Sequence, residues 1–407
     1  MAGIPHGQSM ESGVVADITG YASVAGATTR GQKQEARYEL RSLLRQVTQL
    51  KRLRYCGLPF EGDMVVRCKD GVHHFAGMRR QKDDPYHFTG MSTCGSAWVC
   101  PVCASKIRHQ RSDEVSRTIV SALDKRYDAL MVTSTVPHSA EDQLGVTLNL
   151  LAEGRRYVAN QPVVKALRRE ADYLGSITAK EITHGFSGWH PHTHQVEIFG
   201  HELTLAGFAA LSSAYYNYFN RFYSRNGFDG LSRQHGIRVE QVQLEREALA
   251  WYVAKLHQHD GATIRLRTAQ ELTRSDLKHG KAGSLMPFDI ACQYFETGDR
   301  EMLELWYEFE SESKGKSAIR FTEGLRARLL PHEADHSDKH LAELKVGGEN
   351  AVLIAGWLYR KIAKVPELES KVLTVLDTGG FAALVELLRV YHLDDPGGYY
   401  PMKESEE

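Results

Sequence analysis

The sequence predicts an α+β protein whose centre is a split βαβ sheet with helices on one face, preceded by a metal-binding segment and followed by a mostly helical region. Three observations predict it. From Tyr127 onward the periodic segments run β-α-β-β-α-β-α, an order that two interleaved βαβ units satisfy. Residues 177–199, ITAKEITHGFSGWHPHTHQVEIF, are two alternating runs around Gly185-Phe186-Ser187-Gly188, the turn chemistry of a β-hairpin. Ahead of the sheet, three of the six cysteines fall within ten residues. In a chain this long that clustering speaks for metal or redox use rather than a disulfide framework.

Composition narrows the class. With 407 residues the chain is long enough for two or three domains. Its 42% hydrophobic and 25% charged residues are ordinary for a soluble globular protein. A net charge of −1 gives no global field for a polyanion, so any such site must be a local patch. No apolar run approaches the ~18 residues of a membrane span, and the start lacks the charged-then-apolar order of a signal peptide. A cytoplasmic protein with no membrane partner is expected.

Taken in order, residues 1–35 are rich in Gly, Ala, Ser and Thr without sustained period and are expected to be disordered. Residues 36–55 have Leu40, Leu43, Leu44, Val47 and Leu50 at helical spacing. The other face carries Arg37, Arg41, Arg45, Lys51, Arg52 and Arg54, which reads as a solvated face or a phosphate-tracking one. Cys100-Pro101-Val102-Cys103 is a zinc knuckle, since a two-residue gap lets both thiolates reach one tetrahedral ion. Cys94 is close enough to be the third ligand. The fourth is Cys68, Cys56 or one of His73, His74 and His87; spacing does not choose, and Cys68 is the working assignment. A helix over 104–125 starts with Lys106, Arg108, His109 and Arg111 and closes a first unit, 36–125.

The second unit, 126–260, begins with a strand over 127–136 ended by Pro137, then a helical stretch over 141–173 and the hairpin. An aromatic helix over 203–223, a strand over 236–244 and a helix over 245–256 complete it. Residues 261–332 are expected to be a basic extension: Arg265, Arg267, Arg274, Lys278, His279 and Lys281 in a Gly-bearing loop, helices over 287–297 and 299–311, and a second basic patch around a strand at 318–321. Residues 333–407 read as acidic and helical, through 351–365 and 381–393, with a tail from Asp395. No internal repeat and no GxxxxGK[ST] loop is found, so no nucleotide-driven helicase is built in.

Two constellations carry chemistry. On the second hairpin strand His190, His192 and His194 are two apart, and alternation places all three on one face. Antiparallel pairing about the turn puts Glu181 opposite His192 or nearly so. Two imidazoles and a carboxylate then converge on a divalent-metal site with open positions, suited to phosphate oxygens. A polar strand face is the bland alternative, but the apolar closure Val196-Glu197-Ile198-Phe199 makes a half-buried strand, in which an imidazole row needs a partner. Farther on, Tyr252 and Lys255 share a helix face. A phenol with a pKa near ~10 is a poor nucleophile until a cation helps it, and the metal hairpin makes Tyr252 a credible one. Tyr215, Tyr216 and Tyr218 are rivals.

These residues resemble a family, the rolling-circle replication initiators of bacterial plasmids in their actinobacterial branch, within the HUH endonuclease superfamily. VTSTVPH (132–138) is similar to the first strand motif, GWHPHTHQVEIF (188–199) to the metal motif, and ALAWYVAKL (248–256) to the Tyr-x-x-Lys motif. CGSAWVCPVCASKI (94–107) and KGKSAIRFTEGLR (314–326) are similar to segments before and after the nuclease. The resemblance covers roughly 52–330. It implies an HUH nuclease core with His192, His194 and Glu181 on Mg²⁺ or Mn²⁺, Tyr252 as nucleophile, Lys255 as its helper, and structural Zn²⁺ on the cysteines. It further implies origin DNA as substrate, with host helicase and polymerase as partners. Two positions depart from the pattern. Thr193 stands where an apolar residue is usual, and Ala248 stands one helical turn before the tyrosine where some relatives carry a glutamate, with Glu245 and Glu247 out of register. The rival readings are a transposase or relaxase with the same chemistry, and a zinc-dependent DNA-binding regulator whose histidines are structural.

Overall fold

The computed structural model describes residues 30–59, 66–68, 71–73, 75–80, 86–232, 236–242, 283–344 and 349–401. The helix expected over 36–55 is two, α1 (Arg30–Val47) and α2 (Lys51–Arg54). Local chemistry makes the break. The Thr48 hydroxyl donates to Glu310 and accepts from the Leu50 N–H at 3.1 Å, satisfying a backbone group outside the regular ladder. A short hairpin, β1 (Val66–Cys68) and β2 (Gly71–His73), leads to β3 (Phe75–Arg80), β4 (His87–Thr89) and α3 (Pro101–Asp124). Pro101 starts α3 where its missing N–H costs nothing, and the Cys100 sulfur caps it by accepting from the Cys103 N–H at 3.4 Å.

The central sheet follows the expected order: β5 (Asp128–Thr135), α4 (Leu144–Ala159), α5 (Pro162–Glu170), β6 (Tyr173–Gly185), β7 (Gly188–Phe199), α6 (Leu205–Arg225) and β8 (Ile237–Gln241). The single helical stretch expected over 141–173 splits because Pro162 cannot continue a helix and instead opens the next. With β9 (Ile319–Phe321) the strand order is β8-β5-β7-β6-β9, every pair antiparallel. It follows that β5 and β6 run parallel with β7 between them, while β7 and β8 run parallel with β5 between them. This is the split βαβ arrangement.

Each face of this sheet has its own core. Leu130, Val132 and Phe199 pack under α4, α5 and α6, with Leu151, Val164, Leu211 and Phe219. On the opposite face Ala129, Ile177, Ala179, Val196 and Ile198 join a core that includes Val115 and Ile119 of α3. That apolar patch covers only half of its face; the strand ends beyond it are polar.

Downstream, α7 (Pro287–Thr297) and α8 (Arg300–Ser313) match expectation, and α9 (Leu325–Leu329) and α10 (Asp338–Glu343) follow. The helical reading of 351–365 is corrected: β10 (Glu349–Ala355) precedes α11 (Gly356–Ile362). Val352 and Ile354 are buried on one face of a strand paired on both sides, and branched side chains suit that pleated surface. The tail expected from Asp395 holds a further strand, β11 (Tyr399–Pro401), after α12 (Leu368–Val390). Strand order β11-β10-β3-β4 joins residues 75–89 to residues 349–401 in one sheet. Among the described residues no helix is long and apolar enough to cross a membrane.

The basic face expected over 36–55 is divided: Lys51, Arg52 and Arg54 are exposed, whereas its α1 members Arg41 and Arg45 are not solvated. Arg41 and Arg45 are buried and bind Glu369 of α12 at 3.0 and 2.8 Å, and the Tyr359 hydroxyl donates to the same carboxylate at 2.5 Å. Burial opposes ionisation of Glu369, but the two guanidiniums outweigh it and hold the carboxyl below its usual range. Its contribution to stability is therefore present above the unfolded pKa, near ~4.3, and lost as pH falls through the lower folded value. Glu369→Gln should cost roughly 3–5 kcal/mol, because it strands two buried cations. Urea unfolding at neutral pH measures that loss, and the variant should also show a flatter acid limb than the parent.

Candidate metal centres

The hairpin register puts the first centre together. Glu181 pairs with His192 and Ala179 with His194 across β6 and β7, and Thr135 and Thr133 face the same two histidines from β5. The two-residue loop Phe186-Ser187 fixes that register. Its closing Gly188 has φ +80°, and a Cβ there would stand 2.9 Å from the Ala140 Cα, so both conformation and space require glycine.

His192 Nε2 lies 3.4 Å and His194 Nε2 3.6 Å from the same Glu181 oxygen, Oε2. Adjacent ligands on an octahedral ion bound at about 2.1 Å stand about 3.0 Å apart, so a shift of a few tenths of an ångström closes the three onto one ion. The donor set of two imidazoles and one carboxylate therefore fits a divalent cation with open positions. Thr133 Oγ1 lies 3.1 Å from His194 Nδ1, which orients that ring with Nε2 toward the centre. His190 continues the row, 5.5 Å from His192 between ring centroids, and meets His138 at 4.9 Å. Burial, then His192 and His138, push its pKa down to about 4 against the pull of Glu181, so it is neutral at physiological pH. Thr133 and His138 were not singled out from sequence as site residues, although both lie in the 132–138 run, and strand alternation places Thr133 on the histidine face. Thr193 points to the other face, where its hydroxyl and that of Ser134 are 2.7 Å apart; this pairing accounts for a polar residue between the two histidines.

Tyr252 and Lys255 lie outside the described residues, as do the expected helix over 245–256 and most of the basic loop before Leu285. The rival tyrosines are placed on the wrong side. Tyr215 donates to Glu197 at 2.6 Å and Tyr216 to the Leu231 carbonyl at 3.2 Å, and Tyr218 belongs to the same core beneath α6. That core lies on the sheet face opposite the histidines.

The second centre is a buried cluster of Cys56, Cys94, Cys100 and Cys103. Among the described residues its fourth thiol is Cys56; the side chain of Cys68, the other cysteine weighed for that place, lies outside them. Cys56 follows α2 directly, and its sulfur accepts from the Cys94 N–H at 3.4 Å. Cys56 Sγ is 3.6 Å from Cys100 Sγ and 3.5 Å from Cys103 Sγ. A tetrahedral zinc at about 2.3 Å from each sulfur requires about 3.8 Å between sulfurs, so the cluster fits zinc with slight expansion. Burial and the neighbouring sulfurs Cys103 and Cys56 raise the Cys100 thiol well above its usual range. Deprotonating such a thiol is thus uphill without a cation to balance the thiolate charge.

A split βαβ sheet with a two-histidine, one-carboxylate face, joined to a four-cysteine cluster, defines an α+β protein with two metal-capable centres. No family model matches the chain, and no solved structure matches it. Over 337 aligned residues it is 29% identical to "Protein rep" of Streptomyces lividans, covering 66% of this chain and 72% of that relative. It is 30% identical over 139 residues to "Neomycin resistance protein" of Streptomyces cyanogenus, covering 27% of this chain and 31% of that one. The name of the first relative agrees with the resemblance to actinobacterial Rep proteins that the motifs carry.

Two outcomes check the centres. Cys56→Ser should lower the tightly held zinc content of purified protein, measured by elemental analysis, whereas Cys68→Ser should retain it. Thr133→Val should weaken Mn²⁺ binding by about 10–100-fold, as loss of a ring-orienting partner does, with unchanged secondary structure by circular dichroism.

Proposed function

We propose that the chain is a plasmid rolling-circle replication initiator of the HUH endonuclease superfamily, nicking one strand of origin DNA and rejoining strands at the end of a cycle. The observation that carries this reading is the convergence of Glu181, His192 and His194 on a single point of one sheet face. Similarity to a Rep protein over two thirds of the chain supports it.

His192, His194 and Glu181 would hold Mg²⁺ or Mn²⁺. Bound there, such a cation supplies charge neutralisation at a scissile phosphate. The chain's own residues do the rest. The hairpin, rigid because its register is closed by a two-residue loop, keeps the three donors aimed at one point, and Thr133 keeps the His194 ring in place. Tyr252 attacks the phosphorus through its phenolic oxygen. The new O–P bond replaces the bond to the 3′ oxygen, and the phenol's proton finally resides on the departing 3′-hydroxyl. Lys255, three residues on in sequence, stabilises the phenolate. The 5′-phosphotyrosine conserves the phosphodiester's energy, so the reverse attack rejoins strands without nucleotide hydrolysis. The free 3′-hydroxyl primes host polymerase, and unwinding falls to a host helicase.

The test incubates full-length protein with a single-stranded oligonucleotide spanning the plasmid origin and Mn²⁺, followed by denaturing electrophoresis. A covalent protein–DNA species should form with the parent and disappear in Tyr252→Phe, while DNA binding persists. Binding without any adduct would leave a zinc-dependent regulator, and adducts of undiminished yield in Tyr252→Phe would move the nucleophile elsewhere.

A further inference from the structure

A recess of about 1150 Å³ has none of Glu181, His192 and His194 in its lining. One wall is residues 95–99 together with the start of α2, and the other is the loop and strand of residues 314–321. Cys94 lines it as well, so the cysteine cluster supports the first wall.

Its charges divide into two sets. Arg111 is held by Glu114 and Asp338 at 2.7 and 2.9 Å, and Arg326 by Glu114 and by Asp335 at 2.8 Å. Lys51, Arg52, Lys314 and Arg320 are exposed around the recess, and none pairs with a carboxylate among the described residues. The positive field reaches into the sheet: burial, then Arg155, Lys316 and Arg320, push the Lys180 ammonium below its usual range.

The walls are fixed to each other. Trp98 Nε1 donates to the Lys316 carbonyl at 2.8 Å, and the Ser96 hydroxyl accepts from the Trp98 and Val99 N–H groups at 3.2 Å each. Gly95 has φ +63°, and a Cβ there would meet the Lys339 Cα at 2.9 Å, so the loop packs against α10 at a distance that requires glycine. Among the described residues the one lining ring that is not buried is that of His336, which stacks on His340 at 4.3 Å between centroids. Trp98 and Phe321 are buried, and the Arg326 guanidinium covers Phe321 at 4.0 Å from its centroid.

We propose that this recess binds the phosphate backbone of single-stranded DNA, independently of sequence and separately from the histidine face. The inference rests on the reading of the chain as a DNA-nicking Rep. Exposed cations with no carboxylate partner among the described residues bind phosphates by releasing counterions. Contacts to phosphates carry no sequence information, so the site has no base preference. Two walls enclose a single strand, whereas a duplex would lie across the rim.

The test measures the affinity of full-length protein for random-sequence single-stranded oligonucleotides across a salt series. In Arg52→Ala/Lys314→Ala/Arg320→Ala the slope of log affinity against log salt should fall by about 2, at about 0.7 for each phosphate no longer neutralised, equally for unrelated sequences. Arg320→Ala alone, at an exposed position, should give about one third of that change, so the result does not depend on the triple variant folding. The charge-preserving Arg52→Lys/Lys314→Arg/Arg320→Lys should restore the parental slope. An unchanged slope, a loss that varies with sequence, or a loss confined to duplex DNA would overturn the proposal. A parent protein that forms no covalent adduct yet shows the slope change keeps the recess and loses the nicking chemistry; adducts with no slope change do the opposite.

Discussion

The register between β6 and β7 is the constraint on which the rest depends. Strand side chains alternate between faces, so a slip of one residue would send Glu181 among the helices and leave His192 facing Lys180 or Ile182. Three features prevent it. The two-residue loop admits one closure, and Gly188 has the only backbone that fits between the turn and Ala140. In addition, each strand must keep its apolar residues inward on both faces at once: Ile177, Val196 and Ile198 toward α3, Phe199 toward α6. Burial on two sides thus specifies the pairing more strongly than either side would, and the metal donors take their positions from it.

The second dependence is electrostatic and links the ends of the chain. Glu369 is fully buried between Arg41, Arg45 and Tyr359, and Arg45 also donates from Nε to the Cys56 carbonyl at 2.8 Å. The same guanidinium therefore touches the backbone of a cysteine ligand and the carboxylate of the last long helix. A buried ion cluster of this kind contributes less to net stability than to specifying one arrangement, since desolvation offsets much of its attraction. Here the specified arrangement is the docking of α12 on α1, beside the four thiols.

Local patterns made the central sheet legible. Alternation in 128–135 and 173–199, the Gly-Phe-Ser-Gly turn and the Cys-x-x-Cys step each depend on neighbours in sequence, and the structure has them where the residues indicate. What escaped was long-range. Cys56 lies 38 residues before Cys94, and nothing in its spacing distinguishes it from Cys68. Arg41 and Glu369 are 328 positions apart, so a basic helix face looked like a surface. Residues 351–365 merge a strand and a helix with only Gly356 between them, and their joint apolar content mimics one amphipathic helix. Only the partners β3 and β11 decide that the first half is extended.

The two sides of the sheet now account for where chemistry is placed. One side is covered along its length by α4, α5 and α6, and its polar groups are committed there: Glu197 to Arg168 and Tyr215, Thr193 to Ser134, Gln195 to Arg155. Among the described residues the other is covered only over its apolar half. At the uncovered end, the residue types that alternation brings inward are Thr133, Thr135, Glu181, His190, His192 and His194, all polar and none suited to a dry core. Those histidines keep partial exposure, 15% for the side chains of His192 and His194, which is enough for a ligand to approach while most of their hydration is excluded. An arrangement that leaves donors half-desolvated and mutually close is unfavourable unless a cation relieves it. The same imbalance recurs in the four thiols, and in both centres rigid neighbours hold it in place.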